Sequence, residues 1–191
     1  MTEIKTELAT TPEEAAVLPS LDRGVGSHTA VLRVVIADDH PLFRQAVRGA
    51  IERHPGLVLV GEAEDGRQAL ELIDTLEPDV AVLDHRMPGL TGAEVCEVLQ
   101  GRKNPPATAL LMLSAFEDAD LVWGAVSSGA AGYIGKSASP NAICDAIEQV
   151  GRGGIAFTKT TSSGVTEGFA RHFGRADPGA ARTQATRGTT A

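Results

Sequence analysis

Between residues 31 and 151 the chain alternates two textures that together leave few folds open. Short apolar runs at residues 32–37, 57–60, 80–83, 109–113 and 132–135 are separated by stretches with helical periodicity. The runs are apolar almost throughout, not at every second position, which is the pattern of strands covered on both faces of a parallel sheet. The intervening stretches carry helix punctuation. Pro41 stands where a first turn tolerates proline, and Phe43, Ala46, Val47, Ala50 and Ile51 make one apolar stripe behind it. Asp65 with Gln68, and Thr91 with Glu94, have the spacing of capping boxes that open a second and a third helix. Leu121, Val122, Ala125 and Val126 predict the inward side of a fourth helix, ended by Gly129. Ser139 and Pro140 open a fifth, with Ile143, Ile147 and Val150 inward and Gly151 as its stop. Five such units predict an α/β domain in which a five-stranded parallel sheet is doubly wound by five helices.

The flanks read differently. Residues 1–30 show no sustained period and predict a disordered leader, and its acidic start, without an apolar core segment, is unlike a signal peptide. Residues 158–191 are rich in Thr, Gly, Ala, Ser and Arg and predict a flexible basic tail. Val165, Phe169 and Phe173 fall at helical spacing there, enough for one amphipathic turn or two. The domain boundaries expected are therefore 1–30, 31–157 and 158–191. Charge follows the same division: net −3 over residues 1–30, −9 over 31–151 and +4 over 152–191. A span so acidic makes a poor binder of polyanions unless its charge is gathered to hold a metal. No apolar run approaches the roughly 20 residues of a membrane helix. Cys96 and Cys144 lack zinc or CxxC spacing and read as two buried free thiols, so a cytoplasmic protein is expected.

The chemistry lies in where the polar residues fall. Asp38 and Asp39 end the first apolar run, Asp84 the third and Ser114 the fourth, while Lys136 follows the fifth. In an open parallel sheet, functional groups collect beyond the carboxyl ends of the strands, near the point where strand order reverses. One at a time, these residues have ordinary readings as turn formers, caps or solvated charges. Together they place three carboxylates, a hydroxyl and an ammonium on one rim. Clustered carboxylates call for a hard cation, and Mg²⁺ favours such oxygen ligands. A carboxylate is also a competent nucleophile toward phosphorus, and the metal, Lys136 and Ser114 would answer the charge on the phosphoryl oxygens.

The stretches VVIADDHPLFRQAV, PDVAVLDHRMPGLTG, ALLMLSAF and GAAGYIGKSAS resemble a two-component response regulator receiver domain of the NarL/FixJ type over about residues 31–157. The resemblance implies a flavodoxin-like receiver fold and assigns roles. Asp84 would be the phosphoacceptor. Asp38, Asp39, Asp84 and the backbone carbonyl of Arg86 would hold Mg²⁺, with Ser114 and Lys136 as the phosphate-binding pair. Ser114 and Tyr133 would form a switch in which Tyr133 moves from an exposed to a buried position on phosphorylation. The implied phosphodonor is a sensor histidine kinase.

Two departures stand out. His85 follows the phosphoacceptor where the family usually has an apolar residue. It reads either as a solvent-tolerant loop residue or as an imidazole that tunes dephosphorylation. No helix-turn-helix signature follows Phe157, so specific DNA binding by this chain is not expected, and action through a homodimer or a heterodimer with a full-length regulator is. The alternative is a truncated DNA-binding transcriptional regulator of the same type. A metal-dependent phosphatase on a similar fold is disfavoured, because Arg86 stands where a second acid two residues after Asp84 would be needed. Beyond its own phosphorylation and dephosphorylation, no enzyme activity is expected.

Overall fold

The computed structural model describes residues 30–173. In chain order the elements are β1 (Leu32–Ala37), α1 (Pro41–Arg53), β2 (Leu57–Ala63), α2 (Gly66–Leu76), β3 (Val80–Asp84) and α3 (Gly92–Gln100). They continue as β4 (Ala109–Ser114), α4 (Ala119–Ser127), β5 (Gly132–Gly135), α5 (Pro140–Gly151), β6 (Ala156–Phe157) and α6 (Lys159–Phe173). All strands are parallel, in the order β2-β1-β3-β4-β5-β6. The order reverses between β1 and β3, so a crevice opens beyond their carboxyl ends.

The uniform apolarity of the runs is explained by two cores, one on each face of the sheet. Val34, Ile36, Val80, Val82, Leu111 and Leu113 pack with Val47 and Ile51 of α1 and with Ile143, Cys144 and Ile147 of α5. Alternate residues Ala81, Leu83, Leu110, Met112 and Tyr133 pack with Ile73 of α2, Val95, Cys96 and Leu99 of α3, and Val122 and Ala125 of α4. Both thiols are free and buried, as expected.

Local signals acted as read in most places. Asp65 accepts hydrogen bonds from the backbone of Arg67 and Gln68, and Thr91 with Glu94 completes a reciprocal capping box. Some boundaries moved. Ala46 is exposed at the edge of its stripe. Strand β2 runs three residues past the apolar segment, because Gly61, Glu62 and Ala63 pair with Val35, Ile36 and Ala37 of β1, and Glu62 there meets Arg44 and Arg48 of α1. Helix α5 ends at Gly151 as read, but not through a left-handed residue at that position. Its left-handed residue is Gly153, with φ at 81°, while Gly151 lets the helix press on the sheet: a Cβ there would lie 2.6 Å from Leu32 and 2.8 Å from Val80.

The larger differences lie past residue 155. A short sixth strand joins the sheet beside β5, and residues 159–173 form a helix where a flexible tail was expected. Gly, Ser and Thr give this segment weak intrinsic helicity, so its helix is sustained by packing on α4 and β5 and not by propensity. The expectations for residues 1–29 and 174–191 fall outside the described residues.

Gly92, the first residue of α3, fixes how closely that helix approaches the end of β3. A Cβ at this position would lie 2.5 Å from the Asp84 carbonyl oxygen and 2.6 Å from Met112 Sδ. Gly92→Ala is expected to cost about 1–3 kcal/mol by overpacking, seen as a lower urea midpoint with an unchanged slope.

Candidate functional site

Asp38 and Asp39 follow β1, Asp84 ends β3, Ser114 ends β4 and Lys136 follows β5, so the sheet delivers all five to one rim. Backbone bonds hold the rim in register. The His85 N–H donates to the Leu113 carbonyl at 2.7 Å, and the Lys136 N–H donates to the Ser114 carbonyl at 2.7 Å. The crevice is closed enough that Asp38 is fully buried, Asp84 is 4% exposed and Ser114 1%.

At its centre, Lys136 Nζ lies 2.7 Å from Asp38 Oδ2 and 2.8 Å from Asp84 Oδ2. Apart from this ammonium, Asp38 Oδ2 meets no partner among the described residues, and a carboxylate oxygen beside one ammonium keeps a lone pair for a second cation. Phe43 of α1 lies under the ammonium, which is 4.8 Å from the ring centroid. Asp38 is anchored by its own turn: Oδ1 accepts from the His40 N–H at 2.8 Å, and Arg44 Nη1 donates to its carbonyl at 2.5 Å.

Electrostatics follow from this burial. Burial pushes the Asp84 carboxyl above its usual range, although Lys136 pulls it back in part. Burial alone would lower the Lys136 ammonium, but the paired Asp38 and Asp84 outweigh it and hold Lys136 above its ordinary value. The His85 imidazole is half-buried, with Nδ1 meeting no hydrogen-bond partner among the described residues; burial and neighbouring Arg86 lower its pKa, against the pull of Asp84.

Asp38, Asp39, Asp84 and His40 each offer one ligand atom, and these four atoms lie within 4.8 Å of one another. Three carboxylate oxygens suit a hard divalent cation such as Mg²⁺. His40 was not singled out in the sequence because it reads as the residue before a helix-opening proline, yet its Nδ1 sits 2.7 Å from Asp39 Oδ1. Arg86 lies on the loop beyond β3, its N–H 3.4 Å from Asp84 Oδ1, and its guanidinium stacks 4.5 Å over the Phe116 ring.

Tyr133 is already inside. Its ring is fully buried and its hydroxyl donates to the Phe116 carbonyl at 2.7 Å, while the Phe116 N–H donates to Ser114 Oγ at 3.1 Å. The expected exposed starting position is therefore not the one seen. Among the described residues no helix is long and apolar enough to cross a membrane.

Residues 34–148 match the family model described as a response regulator receiver domain. The chain is 42% identical over 122 residues to the "Probable transcriptional regulatory protein NarL" of Mycobacterium tuberculosis, covering 64% of this chain and 56% of that protein. It is 35% identical over 123 residues to the transcriptional regulatory protein DegU of Brevibacillus brevis, covering 64% and 51%. The chain thus spans about half the length of these relatives. Among solved structures, the signal receiver domain of the Mycobacterium tuberculosis response regulator NarL superposes with a TM-score of 0.62 at 40% identity, covering 65% of this chain and 98% of that one.

Proposed function

The chain belongs to the response regulator receiver domain family, and on that premise we propose that Asp84 accepts a phosphoryl group from a phosphohistidine of a sensor histidine kinase in a Mg²⁺-dependent step. The observation that carries this is the pairing of one partly buried ammonium, Lys136, with the buried Asp38 and Asp84 at the crevice where strand order reverses. A carboxylate oxygen of Asp84 attacks phosphorus, and the phosphorus–nitrogen bond of the donor breaks. The electron pair leaves with the imidazole nitrogen. Lys136 neutralises charge on the phosphoryl oxygens, and the Ser114 hydroxyl donates a hydrogen bond to one of them. The carboxylates of Asp38, Asp39 and Asp84, with the Arg86 carbonyl, would hold the Mg²⁺, which when bound supplies further charge neutralisation.

Output is assigned to protein contact, as a homodimer or with a full-length regulator. The net −9 of residues 31–151 repels a phosphate backbone and does not favour specific DNA readout by this span. Two free buried thiols are in keeping with a reducing, cytoplasmic setting.

Intact mass after incubation with a small acyl phosphate tests the reading. One phosphoryl group per chain is expected with Mg²⁺, and the rate should fall by roughly two orders of magnitude or more in chelator, the worth of several kcal/mol of charge stabilisation. Equal uptake in chelator would remove the metal from the mechanism, and no uptake with Mg²⁺ would remove the phosphoacceptor.

A further inference from the structure

Helix α6 is docked against α4 by features specific to that pairing. Gly164 and Gly168, four residues apart, face it directly: a Cβ on Gly164 would lie 3.1 Å from Ala119 Cα, and one on Gly168 would lie 2.5 Å from Trp123 Cβ. Phe169 meets Trp123 edge-on, with ring centroids 6.1 Å apart, and Arg171 pairs with Asp120 at 2.5 Å. At the other end of α6, Thr161 is fully buried and its hydroxyl lies within donating distance of the Tyr133 carbonyl at 3.0 Å, a proton it shares with the Thr158 carbonyl of its own turn at 3.1 Å. Val165 packs on the core cluster that contains Tyr133.

Three hydrogen bonds, joined through the side chain of Tyr133 and the backbone of Phe116, therefore lead from α6 to the reactive rim. Thr161 holds the Tyr133 carbonyl, the Tyr133 hydroxyl holds the Phe116 carbonyl, and the Phe116 N–H occupies an Oγ lone pair of Ser114. Ser114 keeps its hydroxyl proton, which is what a phosphoryl oxygen requires. An outward Tyr133 would break the middle link. Its ring would also have to enter the α4–β5 edge that the first turns of α6 cover.

We infer that α6 is an internal clamp and Thr161 a positioning residue: docked on α4 and β5, they hold Tyr133 inward and Ser114 poised, so α6 docking and phosphorylation of Asp84 favour each other. This rests on the phosphoacceptor reading above. Linkage makes the coupling reciprocal, because whatever α6 contributes to phosphoryl binding, phosphoryl binding returns to α6.

Beryllofluoride with Mg²⁺, a phosphoryl mimic, tests this on the full chain. Gly168→Val should force α6 off Trp123, and Thr161→Val should cut the link to Tyr133; neither touches the reactive rim. Each is expected to weaken beryllofluoride binding roughly five- to tenfold, the lower range of ordinary site-to-site coupling, with Thr161→Ser restoring it. In the unsubstituted protein, beryllofluoride should slow amide exchange across residues 159–173. If both Val variants bind as tightly as the parent, or if α6 exchange is unmoved when beryllofluoride is bound, α6 is packing alone and the inference is overturned. A parent chain that binds no beryllofluoride and takes up no phosphoryl group overturns the phosphoacceptor reading itself, and the clamp with it.

Discussion

Asp84→Ala is expected to take phosphoryl uptake from one group per chain to none, with Asp38 and Asp39 unable to substitute. The three carboxylates are not equivalent. Asp38 is fully buried, and its Oδ1 is committed to the His40 N–H in its own turn. Asp39 is turned toward His40, at 2.7 Å, and stands partly in solvent away from Lys136. Only Asp84 combines the ammonium at 2.8 Å with a place on β3 beside the end of β4 that carries Ser114. Full labelling of the Ala variant would move the acceptor elsewhere.

The same carboxylate should be a burden on the fold. Burial raises its pKa in the native state, partly offset by Lys136. A carboxyl whose native pKa lies above its unfolded value binds its proton more tightly when folded. Stability is then highest below the unfolded value and is lost as pH rises through the native one. Asp84→Asn should therefore melt higher than the parent at neutral pH in chelator, and the gap should close as pH falls through that window. Added Mg²⁺ should narrow the gap from the other side by stabilising the parent. A variant no more stable than the parent at neutral pH would show that Lys136 more than compensates the burial of Asp84.

Much of the site was legible because its residues stand at strand ends, and strand ends are marked by the close of apolar runs. Asp38, Asp84, Ser114 and Lys136 needed only that register to be placed together. Helix starts were legible where a side chain caps its own backbone, as at Thr91 with Glu94. What escaped depends on distant partners. Phe43 reads as one more core residue until the chain folds Lys136 over it. The stacking of Arg86 on Phe116 joins loops from two different strands. Helix α6 showed only as a turn or two in the spacing of Val165, Phe169 and Phe173, and its full length escaped for the same reason. Gly164 and Gly168 weaken a helix judged alone and permit one pressed against Ala119 and Trp123. The fold of residues 159–173 is a property of the interface, and composition could not report it.

Lys136→Ala should damage both folding and chemistry, and the two losses can be separated. Its ammonium is the charge facing two buried carboxylates, Asp38 at 2.7 Å and Asp84 at 2.8 Å. Removing one partner of a buried ion pair leaves uncompensated charge in the interior, a loss of about 3–5 kcal/mol. Urea unfolding in chelator should show that deficit. Combining Lys136→Ala with Asp84→Asn should recover part of it, since one of the stranded charges then disappears, and the shortfall from additivity measures the coupling. Mg²⁺ should also restore stability, because a cation among Asp38, Asp39 and Asp84 answers the same charges. It should not restore the chemistry. With the fold rescued by Mg²⁺, phosphoryl uptake should remain roughly 10²–10³-fold slower than in the parent, the usual consequence of deleting one preorganised group that meets developing charge. Lys136→Arg should keep the stability better than the rate, since a planar guanidinium supplies charge without the compact ammonium's fit between the two oxygens. A Lys136→Ala protein that is stable in Mg²⁺ and labels at the parental rate would confine Lys136 to a structural role and leave the phosphoryl oxygens to Ser114 and the metal.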